Sequence, residues 1–317
     1  MTDRNKGILF ALSAAVIWGF LAILLKIALV YLPAMTIVWL RFTLAFIFLG
    51  LILFFKDRKA LEVVRRPPLL GIVAALALAF NYTGYIKGLD LTTPSNAQVV
   101  IQLAPLLLIV AGLVIYKERI SKQQGFGFIL ALLGFVVFYR DQIGQLIGSA
   151  DNYNQGIIWV TAAALSWVVF ASLQKLLVQK HHAQGLNLLI YLVPSLILIP
   201  MVEFESMLTL SWSIWLLVLL LGISTILAYG AIAEAFKLIP ANKVGAIATL
   251  NPILTISSMA VLTAMGVSWI DPERISIYGF LGAALILLGV VIAIAAQGRT
   301  QLRKTIAKGW RLGLKRE

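Results

Sequence analysis

The side chains in this sequence best placed for chemistry are polar and aromatic groups set deep inside long apolar runs. Gln98 and Gln102 are four apart, so a helix would place both on one face, three residues ahead of Pro105. Thr249 and Asn251 lie near the matching part of the later run that holds Pro252. A proline in mid-helix removes one backbone donor and releases a carbonyl on the preceding turn, so each is either a simple kink or the interruption that marks a ligand site. Asn81 and Tyr82, with Tyr229, would approach from neighbouring runs, since polar groups in hydrocarbon must turn inward to find partners. Trp18 and Trp167 lie about eleven residues into their runs, deeper than the interfacial belt where tryptophan collects. Each either packs or forms a cavity wall that stacks on a solute and donates one hydrogen bond. Arg41 lies roughly 12 Å along its helix, where it either snorkels, pairs, or binds a carboxylate. Glu234 is the candidate for carrying a coupling proton, although its spacing to Lys237 also fits an ordinary i, i+3 ion pair, as does Lys87 with Asp90.

This is chemistry of binding rather than of bond making. The chain has no cysteine, and its two histidines, His181 and His182, are adjacent at a helix end. Ser224 after Gly222 has no histidine near it in sequence. No phosphate loop, H-E-x-x-H or G-x-S-x-G pattern occurs, so no catalytic residue, cofactor or metal is expected, and ATP does not drive the chain directly.

The elements that must position these groups follow from composition. The chain is 61% hydrophobic and 12% charged, with a mean hydropathy of +0.96, where soluble domains are about 45–50% apolar and 25% charged. Apolar runs of bilayer length predict spans near 7–29, 33–55, 68–88, 94–116, 123–140, 155–178, 185–202, 212–237, 241–265 and 275–296. The expected fold class is an all-α integral membrane protein of ten transmembrane helices. Of the 26 Lys and Arg residues, all but Lys26, Arg41, Lys87, Arg140 and Arg274 fall on the side shared with the N-terminus. The positive-inside rule then places both termini in the cytoplasm of a cell whose inner membrane holds the chain. The net charge of +13 is therefore a matter of topology, not of nucleic acid. Residues 298–317, rich in Lys and Arg and containing Trp310, read as a basic cytoplasmic tail drawn to anionic lipid.

Gly7-Ile8, Trp18, Ala22 and Lys26 recur 149 positions later as Gly156-Ile157, Trp167, Ala171 and Lys175. Tyr82 and Pro105 meet Tyr229 and Pro252 at an offset of 147, and Gly127 and Gly134 correspond to Gly282 and Gly289. This order indicates two repeats, 1–140 and 150–297. The first run, which otherwise looks like a leader, is thereby read as a retained span. Five spans per repeat make the second an inverted copy of the first, the arrangement that lets two halves open a midplane cavity to each side in turn.

The stretches Asn81-Tyr82-Thr83-Gly84, Ser95-Asn96-Ala97, Pro105, Lys117-Glu118-Arg119 and Gly127 to Gly134 resemble an EamA-type domain of the drug/metabolite transporter superfamily. Trp18-Gly19 and Arg41-Phe42 fit its first two helices, and Ala235-Phe236-Lys237 to Pro240-Ala241 with Pro252 fits its second copy. The acidic counterpart of Glu118, due near Met265, is missing. The resemblance implies ten helices, cytoplasmic termini and a central cavity from which amino acids and other metabolites are exported. The expectation is a secondary transporter for a small-molecule substrate, coupled to a proton or a counter-substrate or neither. Trp18, Asn81, Tyr82, Gln98, Gln102, Trp167, Tyr229 and Asn251 would line its site, with Arg41 and Glu234 as the charged candidates. The alternative is a non-transporting membrane sensor or assembly component, which would have a closed, dry centre.

Overall fold

A computed structural model of the chain describes residues 1–117, 121–148, 151–270 and 276–292 except 283, 287 and 290. Among these residues the chain is entirely helical. The expectations placed on Glu118, Arg119, Arg274 and the tail 298–317 lie outside them, as does the end of the 275–296 span. The helices are α1 (Asp3–Leu29), α2 (Ala34–Lys56), α3 (Leu69–Leu91), α4a (Pro94–Val100), α4b (Leu103–Val114), α5 (Lys122–Gly148), α6 (Asp151–Leu177), α7 (Ala183–Ile197), α8 (Trp212–Leu238), α9a (Ala241–Ala248) and α9b (Asn251–Ala264). A last helical stretch, α10, covers Ile277–Ile286. Seven helices, counting α4a with α4b and α9a with α9b, are long and apolar enough to cross a membrane. Lys122–Phe138 within α5, α7 and α10 are shorter apolar helices.

Local chemistry explains most ends. Thr2 and Thr93 accept from the backbone N–H of Asn5 and Asn96, capping α1 and α4a. Pro33, Pro68 and Pro240 stand immediately before α2, α3 and α9a, where no helical donor is lost. The span expected over 185–202 is shorter: α7 holds Pro194, ends at Ile197, and gives way to 3-10 turns at Ile199–Met201 and Phe204–Met207. Its 15 residues measure about 22 Å against a hydrocarbon core of about 30 Å. Trp39 donates its indole N–H to the Ser195 carbonyl at 2.8 Å, satisfying backbone at this irregular end.

The spans expected as continuous over 94–116 and 241–265 are each two helices. Pro105 is the third residue of α4b and Pro252 the second of α9b. The preceding turn tightens to i→i+3 bonding, with Gln102 N–H to Val99 O and Leu250 N–H to Ile247 O, both near 3.0 Å. The Ile101 carbonyl, which Pro105 would release, accepts from Ala104 N–H at 2.9 Å. The backbone at this break is thus satisfied locally and is not a free ligand.

Packing repeats at the same offset as the sequence. Helix α1 lies along α8 as α6 lies along α3; α2 meets α8 as α7 meets α3; α1 meets α9b as α6 meets α4b. Helices α2 and α7 pack on each other, and α4b on α9a. At Gly245 a side chain would lie 2.6 Å from the Pro105 carbonyl oxygen, so only glycine permits α9a to approach α4b this closely. A Cβ on Gly134 would sit 2.8 Å from the Gly282 carbonyl, and one on Gly282 2.7 Å from that of Gly134, which makes the α5–α10 contact backbone on backbone.

Two buried-facing cations close the helices that precede the breaks. Lys26 Nζ donates to the carbonyls of Leu89, Asp90 and Thr92 at 3.0, 3.1 and 2.9 Å, at the C-terminus of α3. Lys175 Nζ donates to Phe236 and Ile239 at 2.7 and 2.8 Å, at the C-terminus of α8. Leu89 and Phe236, like Thr92 and Ile239, are 147 positions apart, so the repeat extends to the atoms that accept. Both ammonium groups meet the negative end of a helix dipole and carbonyls that have no intrahelical donor.

Candidate central binding cavity

Where the two broken helices face each other there is a cavity of about 80 Å³, lined by α1, α2, α3, α4, α6, α8 and α9. That is room for roughly five to eight waters at about 10–15 Å³ each, the scale of a small metabolite.

Its walls divide by chemistry. Trp18 and Trp167 meet edge to face at 6.0 Å, Trp18 meets Tyr229 at 5.6 Å, and Tyr82 meets Tyr229 at 5.8 Å, which joins aromatic rings from both repeats. Opposite them the polar groups are mostly tied down. Asn81 donates to the Ala163 carbonyl at 2.9 Å; Gln98 donates to the Trp18 carbonyl at 3.2 Å and accepts from Tyr85 Oη at 2.9 Å; Gln102 donates to the Gln98 carbonyl at 3.3 Å. Two acceptors remain. Gln102 Oε1 and Asn251 Oδ1 are buried with no hydrogen-bond partner among the described residues, and they come one from each break.

Arg41 also faces this space, at 4% exposure. Its Nε donates to Thr225 Oγ1 at 3.2 Å, its Nη2 to Tyr82 Oη at 3.3 Å, and its Cζ sits 4.4 Å from the centre of the Tyr82 ring. Among the described residues no carboxylate lies within ion-pair distance of it, so an ion pair is absent there and its partners are the two hydroxyls and the ring.

All eight expected lining residues and Arg41 therefore border one cavity. Glu234 does not. It accepts from Lys237 at 3.1 Å and from Gln184 at 3.1 Å, in a half-buried ion pair near the end of α8. Thr249, considered beside Asn251, donates to the Ala246 carbonyl and faces its own helix. Sequence reasoning missed Tyr85, which one helical turn from Asn81 and Tyr82 should have placed on the same face. It also missed Thr225, four residues before Tyr229, which holds Arg41.

Comparison with known proteins agrees with this architecture. The profile of the EamA-like transporter family matches residues 5–140 and 154–295, once per repeat. The uncharacterized inner membrane transporter YhbE of Escherichia coli K12 is 32% identical over 289 residues, covering 90% of each chain. An uncharacterized transporter of Haemophilus influenzae is 28% identical over 288 residues, covering 90% of this chain and 94% of that one. A probable amino-acid metabolite efflux pump of E. coli K12 is 25% identical, covering 92% and 95%. A solved crystal structure superimposes with a TM-score of 0.71 at 21% identity, over 94% of this chain and 99% of the other, a likeness of fold. With both repeats matched, and with helices this long and apolar meeting around an aromatic cavity that holds a few polar side chains, the chain belongs to the EamA-like transporter family of multi-pass membrane proteins.

Proposed function

We propose that this chain is a secondary transporter that exports amino acids or similar small metabolites by alternating access. Ten helices would span the inner membrane as two inverted repeats, 1–140 and 150–297, with both termini and the basic tail 298–317 in the cytoplasm. The observation that carries the reading is the cavity itself: a polar and aromatic space, lined by both repeats, at the point where one helix of each is broken. A sensor or assembly component has no use for unsatisfied acceptors at its centre, and a closed, dry core would be cheaper to fold. The similarity to a probable amino-acid metabolite efflux pump supports the substrate class, and the cavity volume suits its smaller members.

Among the described residues no carboxylate lines the cavity, and Glu234 is engaged elsewhere, so the driving force we assign is the gradient of the substrate or of a counter-substrate, not a proton carried by a side chain. The test is flux of an amino-acid panel through liposomes containing the purified full-length protein. Flux above empty vesicles for small members is expected. No flux for any compound, in either direction, overturns the reading.

A further inference from the structure

The other paired or capped cations described above have their compensation within the protein. Lys237 is paired with Glu234, and Lys26 and Lys175 lie on helix-end carbonyls. Arg41 is different. A guanidinium carries five N–H donors, and among the described residues two of them have protein acceptors, both neutral hydroxyls. Those hydroxyls and the Tyr82 ring hold the planar fork in one pose without neutralising it. A buried cation left uncompensated is costly, so the remaining N–H groups are aimed at a charge that arrives from outside.

Gln102 Oε1 and Asn251 Oδ1 make the complementary demand. Each is an acceptor on a residue at least nine-tenths buried, and each lacks a donor. A solute that bonds to Arg41 through an oxyanion and to these oxygens through N–H groups satisfies every unmet group in the cavity at once.

We infer that Arg41 is the anion-recognition residue of the cavity, so that substrates carry a carboxylate together with an N–H donor, and organic amines without an anionic group are rejected. This rests on the part of the proposed function that makes the cavity the solute-binding site. Rejection of amines follows because they would meet the fixed guanidinium with no negative group, a like-charge juxtaposition that supplies specificity directly.

The experiment uses the full-length protein with valine, threonine and phenylalanine, each beside its carboxamide and its decarboxylated amine. Calorimetric binding in lipid nanodiscs and flux in liposomes are measured on the same set. The expected result is that at least one acid binds and that its amide and amine bind at least about tenfold more weakly, the loss of one charge-assisted pair. R41Q should weaken binding of the acid at least about tenfold and close the gap to the amide, with R41K intermediate, since a point charge replaces a bidentate fork. Because the wild-type comparison needs no variant, misfolding of R41Q would not protect the inference. Amides or amines that bind and cross as well as the acids overturn it and leave the transport reading standing. Discrimination in binding without flux supports it and overturns the transport reading. Absence of both binding and flux overturns both.

Discussion

Replacing Lys26 by Met tests the account of how the break in α4 is held. Methionine keeps the apolar stem and its packing but removes the ammonium, and with it the bonds to Leu89, Asp90 and Thr92 at 3.0, 3.1 and 2.9 Å. Hydrogen bonds to a charged group contribute about 1.5–3 kcal/mol each, so a simple sum is an upper bound. Fixing a lysine side chain costs about 2 kcal/mol, and water at a half-exposed helix end can take over part of the carbonyls. We therefore expect a net loss of about 2–4 kcal/mol, including the lost dipole interaction of up to about 1 kcal/mol. For a chain of this size, with an unfolding entropy of about 2.1 cal/mol/K per residue, that corresponds to a fall of about 3–6 °C in the melting midpoint of the detergent-solubilised protein. Lys175→Met should cost less, since Gln179 Nε2 also donates to the Phe236 carbonyl at 3.3 Å and remains in place. Both variants should also lose flux, because the capped ends lead directly into α4a and α9a. A Lys26→Met protein that melts within about 1 °C of wild type, or above it, would refute the capping argument. A Lys175→Met protein that loses more than Lys26→Met would refute the backup assigned to Gln179.

Asn251→Leu should leave the melting temperature unchanged or raise it, because an unpaired buried acceptor is replaced by an apolar group of similar shape, while flux falls at least about tenfold; a stability loss above about 2 kcal/mol would mean the oxygen has a partner. Glu234→Gln should alter stability by about 1 kcal/mol or less and leave the pH profile of flux as in wild type, since the group serves an i, i+3 ion pair and not the cavity; a shifted profile in liposomes would make Glu234 a coupling residue. Gly282→Leu should sharply lower the yield of monodisperse protein, because even the first side-chain atom would fall 2.6 Å from Phe138 N and 2.7 Å from the Gly134 carbonyl; normal size-exclusion behaviour would show that α5 and α10 can separate freely.

What the sequence made legible was whatever leaves a periodic or compositional trace. Apolar runs placed most helices to within a few residues, because hydrocarbon admits almost nothing else. The offsets of Trp18, Tyr82 and Pro105 to Trp167, Tyr229 and Pro252 picked out residues that border one cavity, since a duplicated chain returns equivalent positions to equivalent depths. The break ahead of each proline was less legible. Proline announces a lost donor, but whether the chain kinks or tightens into a 3-10 turn depends on α9a and α4b packing through Gly245, a contact between segments far apart in sequence. The role of Lys26 was hidden for the same reason: it appeared as a repeat match, while the three carbonyls it caps lie more than sixty residues away. Glu234 could be read from the sequence as the i, i+3 partner of Lys237, which the structure shows, but the Gln184 side chain that also bonds to it lies fifty residues away and leaves no local trace.

The repeat is symmetric in its breaks and asymmetric in its cavity wall. Breaks, capping lysines and the Trp18–Trp167 pair recur in both halves, which is what the proposed exchange of conformations between the halves would require. The polar wall does not recur. At the offset of 147, Asn81, Tyr85, Gln98 and Gln102 fall opposite Ala228, Ile232, Gly245 and Thr249, while Asn251 falls opposite Ala104; Arg41 falls opposite Leu188. A duplicated gene would begin with two equivalent walls, and a site with two equivalent walls would hold a solute in two opposed poses. On the function proposed above, concentrating the guanidinium and three of the four amides on the first repeat gives a solute one preferred orientation, because the cation and most of the polar groups stand on one side of it. Divergence between the halves would then supply orientation, and the features they retain in common the exchange of access.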